Sequence, residues 1–199
     1  MYQKALLHFQ KVDPILFRAA KKTGPVELQN SSDYFIKLCK SIINQQLSNK
    51  VGDIIFERFK NLFPKQEIMP YYLLKIKDKS IRNIGISFPK IKYLKDLAQK
   101  IVNKEIILED LQKEKEEIII ESLIKVKGIG RWTAEMFLMF CLGRKDIFSP
   151  GDLGLRNAVQ KLYELKDKPS DKLLMEISQK WSPYRTYASM ILWKSLEVK

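Results

Sequence analysis

Leu123-Ile124-Lys125-Val126-Lys127-Gly128-Ile129-Gly130-Arg131-Trp132-Thr133-Ala134 is the stretch that decides the fold. It reads as a helix, a tight turn with two glycines one residue apart, and a second helix. Neither Gly128 nor Gly130 has a Cβ, so the turn can adopt φ > 0 and its amides can approach a ligand closely. Amides pointing outward at the start of a helix form a site for phosphate. About twenty residues further on, Ser149-Pro150-Gly151-Asp152 places one carboxylate in a stiffened loop where another helix begins. The helix after the hairpin, about twelve residues, spans roughly 18 Å. The chain from Gly143 to Gly151 extends up to roughly 30 Å, so Asp152 can return to the hairpin end. Asp is a preferred N-cap, and capping is compatible with a chemical role. The dipole of a helix beginning at Leu153 would favour a negative charge at this position beside phosphates. Phosphate grip plus a positioned acid points to chemistry on nucleic acid.

The 199 residues suffice for one large domain or two small lobes sharing a cleft. A hydrophobic content of 45% excludes a disordered chain. The net charge of +13, from 36 basic and 23 acidic residues, has two readings: an anionic partner, commonly nucleic acid, or a composition rich in lysine. No run of 18 apolar residues suggests a membrane span, and the first residues lack a signal peptide's pattern, so a cytoplasmic location is expected. Cys39 and Cys141 each lie in an apolar helical pattern and read as buried free thiols. Two cysteines and the single His8 exclude a four-cysteine iron–sulfur cluster and argue against structural zinc. No metal or cofactor is expected.

Nearly every segment reads as helix, which makes the chain all-α. Ala5, Leu6 and Phe9 share a face before Asp13-Pro14, an N-cap acid with proline in the first helical position. Ser32 or Asp33 can cap a helix carrying Phe35, Leu38, Cys39, Ile42 and Ile43. Ser48 can cap the next, with Val51, Ile54, Ile55 and Phe59 inward. Ser87 precedes a helix with Ile91, Leu94, Leu97, Ala98 and Ile101 at core spacing. Leu111 to Lys125 reads as one amphipathic helix entering the hairpin. Phe137, Leu138, Phe140, Cys141 and Leu142 make the helix after it apolar and central. Leu155, Val159 and Leu162 mark a helix after Asp152. Ser182-Pro183 starts the last one, with Ala188, Ile191, Leu192 and Leu196 inward. The stretches 64–70 and 76–82 read as loops or short helices.

Taken together, these residues resemble the helix-hairpin-helix DNA glycosylases, and among them the DNA-3-methyladenine glycosylase II group. Ile42-Ile43-Asn44-Gln45-Gln46-Leu47-Ser48 is similar to that group's "QQLS" segment. Gly85-Ile86-Ser87 with Lys90, Tyr93-Leu94 and Leu97-Ala98 resembles another of its stretches. Gly128 to Phe137 is similar to its "GIGRWTAEMF" core, Phe148 to Gly154 to its catalytic loop, and Trp181-Ser182-Pro183-Tyr184-Arg185 to its "W-x-P-Y/W-R" element. The resemblance spans residues 13 to 193 in the family's order. It implies two helical lobes, one of about residues 25–110 and one of about 1–24 plus 111–199, flanking a base-binding cleft.

The resemblance also implies an activity: monofunctional excision of alkylated purines such as 3-methyladenine from double-stranded DNA by a monomer, initiating base excision repair. Asp152 would be the catalytic aspartate, stabilising the oxocarbenium-like sugar as the N-glycosidic bond breaks. A carboxylate about 4 Å from that cation contributes about 4 kcal/mol at an effective dielectric of 20. This is roughly a thousandfold in rate. The base must be flipped out of the duplex, and an electron-poor ring binds aromatic faces well. Trp132, Met136 and Tyr184 stand at base-pocket positions, Met136 where some relatives carry tyrosine. Without the resemblance, Trp132 and Tyr184 read sooner as core residues than as a pocket. Lys127, Gly128, Gly130, Arg131 and Thr133 would contact DNA, with Gln46 or Leu47 filling the vacated stack. Lys127 stands where many relatives have proline.

Two alternatives differ in kind. A non-catalytic helix-hairpin-helix binding module explains the glycines and the charge, but not Asp152 or the aromatic residues. A bifunctional glycosylase/lyase would need a lysine directly after the "G-x-G-R" motif, where this chain has Trp132.

Overall fold

In a computed structural model, in which residues 1–198 are described, the chain forms twelve α-helices and two short 3-10 helices, with no strand among those residues. The described residues divide into two compact units: Met1–Asn30 with the chain from Leu138 on, and Ser31–Phe137.

In the first unit, α1 (Tyr2–Val12) and α2 (Pro14–Thr23) pack with α10 (Leu153–Leu162), α11 (Asp171–Gln179) and α12 (Arg185–Ser195). Phe9, Leu16, Leu155, Val159, Trp181 and Ile191 lie at the centre of its core. Asp13 acts as the expected cap, accepting from the Leu16 amide at 3.1 Å. It also does more than local spacing can reveal. Its Oδ2 accepts from the Trp181 indole at 2.7 Å, from Lys180 Nζ at 2.9 Å and from the Tyr163 hydroxyl. Burial alone would raise the Asp13 pKa. The hydrogen bonds from Trp181, Tyr163, Lys180 and Leu16 outweigh it and hold the carboxyl below its usual range.

In the second unit, α3 (Tyr34–Asn44), α5 (Pro70–Lys75) and α6 (Asp78–Asn83) pack against α7 (Phe88–Val102), and α4 (Asn49–Lys60) against α3. Ser48 caps α4 through the Val51 amide, as expected. Asp33 and Ser87 occupy N-cap positions, but their side chains make no capping bond. The buried face of α4 is Gly52, Phe56 and Phe59, with Val51 and Ile54 turned outward. The reason lies at Gly52, where a Cβ would sit 2.4 Å from Asn44 Oδ1. That close approach to α3 sets the rotation of α4.

Two further expectations are corrected. The region read as one helix over Leu111–Lys125 is a 3-10 helix, Leu108–Lys113, followed by α8 (Glu116–Leu123). The polar run Lys113-Glu114-Lys115 leaves the backbone extended at Glu114 and Lys115. The last helix starts at Arg185 rather than at Pro183: Tyr184 is not helical, and Asp146 accepts from the Arg185 amide. Leu196 lies beyond that helix and is exposed. Both cysteines are buried thiols outside any disulfide, and burial pushes the Cys39 thiol far above its usual range.

Candidate active site

The hairpin joins α8 to α9 (Arg131–Phe140). Val126 and Ile129 are buried while Lys127, Gly128 and Gly130 are exposed, so the two apolar residues anchor the turn and the others are presented. Gly128 has φ 81°, and a Cβ there would lie 2.1 Å from the Tyr93 ring. Glycine is therefore obligatory at 128 on both counts. Gly130 does not adopt a positive φ, and a Cβ there would meet nothing within 4 Å. No neighbour within the protein therefore requires glycine at 130.

The hairpin is tied to a second exposed turn. Gln45 Nε2 donates to the Gly128 carbonyl at 2.7 Å, across 83 residues of sequence. Lys90 Nζ donates to the carbonyls of Ile43 and Gln45 at 2.8 and 2.6 Å. Partial burial lowers the Lys90 pKa. Asp96 accepts from the Lys127 amide at 2.9 Å. Gln46 follows in a left-handed conformation, φ 58°, with an exposed side chain, while Leu47 is half-buried. For a residue other than glycine that backbone is strained, and it throws Gln46 outward.

Arg131 is exposed, but its guanidinium is engaged within the protein, with a bidentate pair to Glu117 at 2.8 and 3.1 Å and Nε on Glu135 at 3.0 Å. Thr133 is buried. Trp132 is 47% exposed, which removes the core-packing reading for its ring. Met136 is half-buried. Trp132, Met136 and Phe140 recur at four-residue spacing and so follow one face of α9.

Asp152 is 8% exposed and caps α10. Its Oδ1 accepts from the Leu155 amide at 2.7 Å and from the indole N–H of Trp193 at 2.9 Å. Both roles considered for this residue are thus compatible, as a cap and as a carboxylate with a fixed direction. Sequence reading did not single out Trp193, which is 41 residues from Asp152 and blends into the apolar run Ile191-Leu192-Trp193. Phe140, 40% exposed, packs against the Trp193 ring with centroids 5.9 Å apart. Gly154 leaves room for this arrangement, since a Cβ there would lie 3.0 Å from Trp193 Cδ1 and 3.1 Å from Asp152 Oδ1. Arg156 stiffens the approach by donating to the Pro150 carbonyl at 2.9 Å.

Tyr184, the other aromatic residue expected in the pocket, stands edge-on to His8 at 5.6 Å and to Tyr187 at 6.3 Å. The Lys145 ammonium lies 5.9 Å from its ring centre. Just ahead of the Asp152 loop, Asp146 accepts from the Arg185 amide and from its Nε and Nη2 at 3.1, 2.9 and 3.0 Å. It also accepts from the Ser182 hydroxyl at 2.8 Å. Burial raises the Asp146 pKa, but the Arg185 and Ser182 donors outweigh it and hold it below the usual range.

An all-helical chain with a glycine hairpin and a capped aspartate in a following loop defines a class, and comparison with known proteins names it. Residues 39–183 match the HhH-GPD superfamily base excision DNA repair proteins, and the chain belongs to that family. It is 32% identical over 197 residues to DNA-3-methyladenine glycosylase 1 of Schizosaccharomyces pombe, covering 96% of this chain and 86% of that one. Among solved structures it resembles the 3-methyladenine DNA glycosylase of Schizosaccharomyces pombe in complex with abasic DNA. The TM-score is 0.86 at 31% identity, covering 96% and 95% of the two chains. It also resembles the DNA-3-methyladenine glycosidase of Bacillus halodurans, with a TM-score of 0.85 at 34% identity and coverage of 94% and 88%.

Proposed function

We propose that this protein is a monofunctional DNA glycosylase that flips alkylated purines, 3-methyladenine among them, out of double-stranded DNA and hydrolyses the N-glycosidic bond. Asp152 is the excision acid. As the bond stretches, positive charge builds on the sugar and its electron pair leaves with the base. A carboxylate held in one direction by two N–H donors needs no reorganisation to stabilise that charge. An alkylated purine already carries positive charge, so it departs without strong assistance at the base. The same charge suits aromatic faces, which Phe140 and Trp193 offer beside Asp152. Trp132, Met136 and Tyr184 are further candidates for contact with the flipped base.

Gly130 and the exposed hairpin backbone grip phosphate, with Lys127 adding a cation. Gln46 is the better candidate for the vacated stack, because its backbone directs it outward and Leu47 is half-buried. The net charge of +13 draws the protein to DNA in general. No helix among the described residues is long and apolar enough to cross a membrane. A compartment that holds DNA, the cytoplasm of a prokaryote for example, follows from the substrate.

One observation carries this reading: the Asp152 carboxylate clasped by the Leu155 amide and the Trp193 indole, with Phe140 tilted against the indole ring. Incubation with methylated duplex DNA and chromatography of the released bases tests it. Free 3-methyladenine released by the wild type and not by Asp152→Asn is expected. No release by the wild type, or equal release by the variant, overturns it.

A further inference from the structure

The segment between α9 and α10 that carries Asp152 contains no regular secondary structure from Gly143 to Asp152, so its shape depends on what holds it. One helix holds both of its ends. At the first turn of α12, the Thr186 hydroxyl donates to the Arg144 carbonyl at 2.6 Å and accepts from the Ile147 amide at 3.0 Å. The Thr186 amide donates to the Lys145 carbonyl at 3.0 Å, and Arg185 takes Asp146 through three N–H groups. Eight residues along α12, about 12 Å at the helical rise, Trp193 holds Asp152. The span between the two anchor points is therefore set by a rigid helix rather than by the loop.

We propose that Asp146, Arg185 and Thr186 are positioning residues for excision, registering the start of the loop on α12 so that Asp152 meets Trp193 at its other end. None of the three needs to touch the substrate. Their contribution is the placement of the carboxylate, and a reacting group misplaced by about 1 Å can lose about a hundredfold in rate. Arg185→Lys keeps the charge but lacks the planar fork that takes both carboxylate oxygens. Asp146→Asn keeps the shape but loses the charge that Arg185 binds. Thr186→Val removes the hydroxyl at nearly constant volume, and Thr186→Ser restores it.

The inference rests on Asp152 being the excision acid, so Asp152→Asn is run alongside. Single-turnover release of 3-methyladenine from methylated duplex DNA is measured with protein in excess. Affinity for a duplex with an abasic site is measured in parallel. For Arg185→Lys, Asp146→Asn and Thr186→Val, the rate should fall by about tenfold to a hundredfold. Affinity should stay within about twofold, and Thr186→Ser should recover most of the rate. A purely structural role would lower rate and affinity together, and that result overturns the proposal. Rates within about twofold of wild type, with Asp152→Asn inactive, overturn it as well while leaving the catalytic assignment intact. If Asp152→Asn stays active, the assignment beneath it falls first. Should Arg185→Lys or Asp146→Asn fail to fold, the Thr186→Val and Thr186→Ser pair decides by the same criteria.

Discussion

Gly154 faces Trp193 so closely that a methyl group on it would lie 3.0 Å from the indole Cδ1. This is tighter than ordinary packing, and the ring that must yield is the one that directs Asp152. Gly154→Ala should therefore displace the indole by a few tenths of an ångström and lower the excision rate by about tenfold. Trp193→Phe should do the same by a different route, keeping an aromatic face but losing the N–H donor. Single-turnover kinetics on methylated duplex DNA checks both, and rates equal to wild type would detach Trp193 from the chemistry.

The two hairpin glycines should separate in their effects. Gly128→Ala forces a Cβ into the Tyr93 ring at a positive φ, and should destabilise the fold by about 2 kcal/mol or more. Gly130→Ala has open space and should leave the unfolding midpoint nearly unchanged. It should still weaken binding to damaged and undamaged duplexes alike, since contacts to phosphate carry no sequence information. Denaturant titration and a salt series of duplex binding provide the comparison. Unchanged binding by Gly130→Ala at every salt concentration would remove the hairpin from the interface.

Asp13 makes stability depend on pH. Its carboxyl titrates lower in the folded chain than in the unfolded one, where a value near 3.9 is ordinary. Its stabilisation is therefore complete above about pH 5 and is lost as the pH falls through the depressed folded value. Asp13→Asn leaves Lys180 without its anion and should cost about 3 kcal/mol at pH 7. The gap between variant and wild type should narrow below about pH 4, where the unfolded carboxyl takes up a proton, and close once the pH has passed the depressed folded value. Urea unfolding at pH 7 and pH 3 measures both gaps, and a constant difference contradicts the account.

Borohydride added during turnover should trap no protein–DNA adduct. A lyase forms an imine through an amine, and the residue after Arg131 is Trp132. Arg131 cannot replace it, because its guanidinium stays protonated and is already paired with Glu117 and Glu135. An adduct abolished by mutating one lysine would establish a bifunctional enzyme instead.

What was legible in the sequence was what local spacing encodes. Most of the helices, the caps at Asp13, Ser48 and Asp152, the buried thiols and the glycine hairpin follow from periodicity and capping rules. Failures occurred where a distant neighbour decides. The rotation of α4 depends on Asn44 against Gly52, and the start of α12 on Asp146, which takes the Arg185 amide from 39 residues away. At the site, Asp152 stood out because its loop is distinctive. Trp193 did not, because an indole in an apolar helix looks like core until its N–H partner is known. The ion pairs of Arg131 were equally hidden. A basic residue after the hairpin suggests DNA, but Glu117 and Glu135 lie close enough to take it.

The burial of both cysteines has a meaning beyond packing. The electrophiles that alkylate bases in DNA also attack sulfur, and they attack it as the thiolate. Cys39 is fully enclosed with its ionisation strongly suppressed, and Cys141 is buried as well. The chain therefore offers its softest nucleophiles only when unfolded. On the proposed function it is suited to persist in the reactive conditions that alkylate DNA, and maleimide should label it only after denaturation.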